Sequence, residues 1–224
     1  GSGLKFLKKY FNTIESKRNT LQYDIDGVVF KVNDFELQKK LGSRSRSPRW
    51  AIAAKLKSEQ GTTKVLDIIT SIGRTGAITP VAKVEPINIG GAIISHATLH
   101  NQDEINRKDI RVGDAVIIQR AGDVIPEIIK VIIDKRPSNS CKYQIPLTCE
   151  SCMQEVIRIS GEAVFRCINP LCFDQIVGKI KHFISKNCMN IDGFGEKLVH
   201  QLVKEKIIEN ISDIFYLEFD VLSS

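Results

Sequence analysis

Four cysteines constrain this chain more than any other feature. They run Cys149-x2-Cys152-x14-Cys167-x4-Cys172. Two close pairs separated by one loop match a four-thiolate zinc site, with each pair on a turn so that four sulfurs converge tetrahedrally. Thiolates suit zinc, which needs geometry and no redox chemistry. With all four positions taken by Cys, no open site is left for water, so the metal is expected to be structural. In a module this small it would supply most of the folding free energy. The other readings are unpaired cytosolic thiols and disulfides. Disulfides belong to secreted chains, and the N-terminal LKFLKKYFNTIESKRN, with lysines throughout and no uninterrupted apolar core, is not expected to be a signal peptide. Cys141 and Cys188 lie outside the spacing and are expected to be free.

The rest of the composition frames this module. At 224 residues the chain has room for one or two compact domains, or three small ones. Apolar residues at 42% and charged residues at 26% argue against wholesale disorder. The longest apolar run, Val124–Ile133, is interrupted by Pro126, Glu127 and Lys130, so no membrane span is expected. Gly1-Ser2-Gly3 reads as an appended tail, and with no initiator Met a piece of a longer protein is expected. The net charge of +6 is unevenly spread. Residues 1–57 hold 13 Lys+Arg and 5 Asp+Glu, a balance of +8, while residues 58–224 hold 19 and 21, a balance of −2. A basic piece is thus joined to a near-neutral remainder, which permits a nucleic-acid partner without demanding one.

Hydrophobic periodicity organises the chain. Leu4, Leu7, Phe11 and Ile14 predict a helix over 4–19. Tyr23–Val32 and Arg49–Lys57 read as strands, the second with Trp50, Ile52, Ala54 and Leu56 on one face and Lys55 and Lys57 on the other. A short helix over 34–41, N-capped by Asp34, and a basic loop over 42–48 lie between them. From Thr62 to Asp134, short β-rich runs alternate with Gly, Pro and Asn turns, with one helix near Thr98–Asn106. This pattern suggests a five-stranded Greek-key barrel of the oligonucleotide-binding (OB) type, or a generic sandwich. Residues 135–148 read as a polar linker, and helices follow at 174–185 and 196–206.

Several smaller patterns carry possible chemistry. Gly193-Phe194-Gly195 lies between two helices. Such a loop in a helix-hairpin-helix element brings backbone N–H groups to a phosphate, which glycine permits; a plain helix–helix turn gives the same pattern. Asp26 and Lys31 on one strand, with Lys55 on the later one, could hold a metal and a phosphate, or be ordinary strand-end charges. Asp26 and Lys31 are five apart, so an ideal strand puts them on opposite faces unless Asp26 sits at the strand end or a bulge intervenes. His96 and His100 are four apart but lack a carboxylate motif, so hydrogen-bonding roles are expected. Arg74 in Gly73-Arg-Thr-Gly76 and Arg120 in Arg120-Ala-Gly-Asp123 stand at turns, where each either contacts phosphate or caps the turn.

Taken in order, these pieces resemble one family. Tyr23-Asp-Ile-Asp-Gly-Val-Val-Phe-Lys-Val-Asn-Asp34, Ser47-Pro-Arg-Trp-Ala-Ile-Ala-Ala-Lys55, Gly73-Arg-Thr-Gly-Ala-Ile-Thr-Pro-Val81, Ala97-Thr-Leu-His-Asn101, Gln119-Arg-Ala-Gly-Asp-Val-Ile-Pro126, the four cysteines and Ile191-Asp-Gly-Phe-Gly195 are similar to bacterial NAD-dependent DNA ligases over nearly the whole chain. The resemblance implies an α+β multidomain chain. Residues 1–58 would be the C-terminal part of the adenylation (nucleotidyltransferase) domain, 59–136 an OB-type β-barrel, 137–173 a four-Cys zinc finger, and 174–224 part of a helix-hairpin-helix domain. It also implies NAD, Mg²⁺ and Zn²⁺ as cofactors, nicked duplex DNA as partner, a monomer, and the bacterial cytosol. By position, Asp26, Lys31 and Lys55 take the roles of groups that contact the adenylate and its metal. Arg18 matches the family's arginine at the same offset. Arg74 and Arg120 match OB-domain arginines serving the DNA-bound conformation.

The departures set the functional expectation. The family's nucleophile is the Lys of Lys-x-Asp-Gly, whereas Asp26-Gly27 and Asp192-Gly193 are preceded two residues back by Asp24 and Asn190. Lys55 lies in Ala-Ala-Lys-Leu, where the family usually places an aromatic beside it. This chain alone is therefore expected not to form ligase-adenylate. Two other readings stand beside it. A non-catalytic DNA-binding module accounts for the missing nucleophile. A zinc-ribbon protein of transcription accounts for the cysteines but not for the Asp-Gly-Val-Val-Phe-Lys strand.

Overall fold

A computed structural model of the chain describes residues 3–120 and 125–218. The expected tail at Gly1-Ser2 and the turn at Ala121–Val124 lie outside the described residues. The N-terminal segment is a small α+β unit. Helix α1 (Leu4–Lys17) runs into a 3-10 turn at Arg18–Thr20. Strand β1 (Gly27–Lys31), helix α2 (Phe35–Leu41), the two-residue strands β2 (Ser43–Arg44) and β3 (Ser47–Pro48), and strand β4 (Ala51–Lys55) follow. The Asp34 carboxylate caps α2 by accepting from Glu36 N and Leu37 N at 2.8 and 3.1 Å. Gly42 ends that helix with φ +65°, a conformation glycine adopts without strain. The basic stretch after Gly42 is not an open loop, because Ser43 pairs with Pro48 and Arg44 with Ser47 in a short hairpin.

The expected barrel is present and closed. Its strands are β5 (Glu59–Ile72), β6 (Ala77–Ile89), β7 (Ala92–Thr98), β8 (Ala115–Arg120) and β9 (Glu127–Val131). β5 pairs with β6 and β8, β6 with β7, and β8 with β9, all antiparallel. A single parallel pair, Thr98 with Glu127, joins β7 to β9 and completes the ring. Closure removes free sheet edges. Val65, Ala82, Val84, Val116, Ile118 and Ile128 fill the interior. Helix α3 (Gln102–Lys108), capped by Asn101, adds Ile105 to that core, and Ile110 follows it there.

Residues 135–148, polar in composition, pack against the barrel rather than linking freely. The Arg136 guanidinium donates to both oxygens of the fully buried Asp114, at 2.9 Å each. Gln102 donates to Tyr143 O at 3.0 Å and accepts from Ile145 N at 2.8 Å, and Ile145 is buried. These pairings keep buried polar groups satisfied, which fixes the path of the segment.

The cysteine module continues the barrel's sheet. Strands β10 (Val156–Arg158) and β11 (Phe165–Cys167) form a hairpin, and β11 pairs with β6 through Phe165 with Ile78 and Arg166 with Ala77. Helices α4 (Phe173–Ile184) and α5 (Glu196–Lys204) then pack on each other through Ile180, Ile184, Val199 and Leu202, and Ile208, after α5, joins the same core. No helix among the described residues is long and apolar enough to cross a membrane.

Candidate functional site

The four cysteines come together as their spacing requires. Cys149, Cys152, Cys167 and Cys172 place their sulfurs within 4.8 Å of one another. Cys149 Sγ lies 3.9 Å from Cys172 Sγ, and Cys152 Sγ 3.6 Å from Cys167 Sγ. A tetrahedral zinc site with Zn–S near 2.3 Å has sulfur edges of about 3.8 Å, whereas a disulfide needs about 2.05 Å. The local turns build this cluster. Cys149 N donates to Gln154 O and Met153 N to Cys149 O, each at 2.8 Å, while Cys172 N donates to Asn169 O at 3.1 Å. Burial pushes the Cys149 thiol up to about 12 and raises Cys167 as well. At Cys152 burial also opposes the thiolate, but hydrogen bonds from Asn169 and the Gln154 backbone outweigh it and hold the thiol at about 7. Four ionised sulfurs in so small a space need a cation, so the donor set fits zinc.

The adenylation-type residues divide between two places. β1 and β4 form an antiparallel ribbon in which Gly27 faces Lys55 and Lys31 faces Ala51. Cross-strand partners share a face and alternate residues return to it, so Lys31 and Lys55 lie on the same face. They stand four rungs apart, about 13 Å at ~3.3 Å per residue. Asp26 sits just before β1, with its carbonyl accepting from Leu56 N at 2.9 Å. It is therefore at the strand end, as sharing a site with Lys31 would require.

The structure nevertheless groups Asp26 with different residues. A cavity of about 560 Å³ between the N-terminal unit and the barrel is lined by Arg18, Asp24, Asp26, Glu59, Gly91 and Arg120 among others; Lys31 and Lys55 do not line it. Arg18 Nη1 donates to Lys57 O at 2.9 Å, and its Nε pairs with Glu59 at 3.2 Å. Arg120 Nη1 donates to Gly90 O at 3.4 Å. Asp24 Oδ2 approaches Gly91 so closely that a Cβ there would lie 2.6 Å from it. Sequence patterns do not single out Glu59, Asp24 or the Gly90-Gly91 turn; the paired glycines are the one signal that could have found it.

The two arginines assigned to the barrel mark opposite ends of β5. Arg120 pairs in register with Glu59 at the start of that 14-residue strand, while Arg74 follows its end. They are too far apart to hold one phosphate. Arg74 is exposed in the β5–β6 turn, whose backbone lies 3.1 Å from where a Cβ on Gly178 of α4 would stand. Gly193 has φ +78°, and at both Gly193 and Gly195 an added Cβ would meet nothing within 4 Å. That loop face is open to an incoming group. His96 and His100 do not form a pair: His96 Nδ1 meets Ser95 Oγ at 2.9 Å, and His100 Nε2 meets Glu127 at 3.4 Å.

Comparison with known proteins identifies two of the domains. Residues 2–59 match the NAD-dependent DNA ligase adenylation domain, and residues 62–140 the NAD-dependent DNA ligase OB-fold domain. A curated DNA ligase of Syntrophus aciditrophicus is 50% identical over 220 residues, covering 98% of this chain and 33% of that relative. One from Bdellovibrio bacteriovorus is 52% identical over 210 residues, 93% of this chain and 31% of the relative. The chain thus spans about a third of the length of the curated relatives it matches.

Proposed function

The chain belongs to the NAD-dependent DNA ligase family, and on that premise we propose that it is the DNA-gripping middle of an enzyme that seals nicks in duplex DNA with NAD as AMP donor. The observation that carries this reading is the continuity of parts. One closed barrel is joined at one end to the Arg18–Asp26 cavity, and at the other to the cysteine cluster through the β11–β6 pairing.

In this proposal residues 1–58, 59–136, 137–173 and 174–224 are the end of the adenylation domain, the OB domain, the zinc finger and the start of a helix-hairpin-helix domain. Lys31 and Lys55 contact the adenylate of NAD from their shared face. Asp26 supplies an oxygen donor that suits Mg²⁺, which binds through one or two carboxylates together with phosphate. Arg18 lines the cavity with Asp26, away from the two lysines, and there neutralises phosphate charge as adenylyl transfer requires. Arg74, Arg120, Gly193 and Gly195 hold the DNA backbone. Zinc in the Cys149, Cys152, Cys167 and Cys172 cluster holds the finger in shape. The protein acts as a monomer in the bacterial cytosol.

These 224 residues contain no Lys-x-Asp-Gly, so they bind nicked duplex without becoming adenylylated. Incubation with labelled NAD and Mg²⁺ is expected to leave the chain unlabelled. Covalent AMP on it would overturn this part of the proposal. The non-catalytic DNA-binding module is the second reading, favoured by the missing nucleophile. Mixing the chain with the upstream third of a close relative separates the two readings. Recovery of nick sealing supports the enzyme piece, and DNA binding without recovery supports the module.

A further inference from the structure

The β5–β6 turn that carries Arg74 is closed on itself and gripped from outside. Within the turn, Gly73 N donates to Ala77 O at 2.8 Å and Gly76 N to Gly73 O at 2.9 Å. From the finger, Cys167 N donates to Gly76 O at 2.9 Å. Helix α4 meets the turn at two residues. The buried Gln175 donates through Nε2 to Cys167 O at 2.8 Å and to Asn169 O at 3.0 Å, and a Cβ on Gly76 would lie 2.9 Å from that nitrogen. Gly178 stands three residues further on, so it shares that face of α4. A Cβ on Gly178 would lie 3.1 Å from both N and Cα of Arg74 and 3.2 Å from its Cβ. Backbone atoms cannot rotate aside as a flexible side-chain tip does, so the turn itself would have to shift.

The helix gives no reason for a glycine at this position. Gly178 is the sixth residue of the 12-residue α4 and is not among the glycines with positive φ. In a helix interior glycine is less favourable than alanine. The close approach of Arg74 supplies the reason. We propose that Gly178 is a positioning residue for Arg74: by lacking a side chain, it lets α4 seat the β5–β6 turn where the Arg74 guanidinium meets a DNA phosphate. This rests on the reading of Arg74 as a phosphate contact. Gly178 itself touches no DNA. It acts through the turn, and a planar guanidinium binds phosphate in a fixed fork geometry that depends on such placement.

The test is the salt dependence of nicked-duplex binding by the zinc-loaded chain, followed by fluorescence anisotropy. Arg74→Ala is expected to lower the slope by about one. Gly178→Leu is expected to lower it to the same value, and Gly178→Ala part of the way, with zinc content unchanged. The alanine variant decides the matter if the leucine variant does not fold. In the Arg74→Ala background neither Gly178 variant is expected to lower the slope further, because they act on the same contact. A role in helix packing alone predicts the opposite: an unchanged slope, and a more stable chain once glycine leaves the helix interior. A slope lowered in Arg74→Ala but kept by the Gly178 variants would overturn the positioning role alone. So would a Gly178 effect that persists undiminished in the Arg74→Ala background. An unchanged slope in Arg74→Ala itself would overturn the phosphate reading of Arg74 and this proposal with it.

Discussion

Gly76 illustrates how single residues hold the barrel to the cysteine module. Its φ is +77°, and a Cβ there would lie 2.2 Å from Cys167 O. Its own carbonyl accepts from Cys167 N at 2.9 Å. Gly76→Ala is therefore expected to cost at least about 1–3 kcal/mol from backbone strain alone, and to loosen the finger. Differential scanning calorimetry of the zinc-loaded chain checks this. Asp114 is the other residue on which much depends. It is fully buried and holds Arg136 through two hydrogen bonds. Asp114→Ala leaves the guanidinium of Arg136 without its buried partner and is expected to cost about 3–5 kcal/mol, read as a lower urea midpoint.

Asp109 gives the pH dependence of the same cluster. Hydrogen bonds from Arg136 and then Arg111 hold its carboxyl below the usual carboxylate range. A lowered folded-state value means that the contribution is present above the unfolded value of about 3.9 and is lost as pH falls through the folded one. Thermal unfolding is expected to soften below about pH 4, and to do so less in Asp109→Asn.

At the scale of elements, the barrel and the N-terminal unit differ in what they bury. β5, β6 and β8 each alternate buried positions with more accessible ones around one core. α1, α2, β1 and β4 contain no buried residue, and Val29 and Ile52 are 56% and 69% exposed. Local opening should therefore be easier in the ribbon. Hydrogen exchange is expected to be faster at the amides of Val28–Lys31 than at Val65–Ile68; equal protection would contradict this.

The same contrast explains what is legible in the sequence. The barrel strands are legible because β-branched alternation is local, and the metal cluster because turn-borne cysteine pairs carry their own geometry. The company kept by Asp26 is not. The cavity it lines is completed by Gly90 and Gly91, more than sixty residues away, and no strand periodicity encodes that closure. Segment 135–148 has the composition of a linker, and composition cannot show that Gln102 reaches across to Tyr143 and Ile145.

For the whole molecule, charge and architecture point the same way. The excess of basic residues lies in residues 1–57, and the remainder is near neutral. The barrel, finger and hairpin are thus proposed to grip DNA through placed groups rather than bulk charge. Removing one phosphate-binding side chain should lower the salt slope by about one. Arg74→Ala and Arg120→Ala, at opposite ends of β5, are expected to act additively.

The most direct test of this account is a fluorescence-anisotropy titration of nicked duplex DNA with the zinc-loaded chain across a salt series. The account predicts binding at low salt, with log affinity falling linearly with log salt, and a shallower slope in each arginine variant. No binding at low salt, or binding indifferent to both salt and the two arginines, would contradict it.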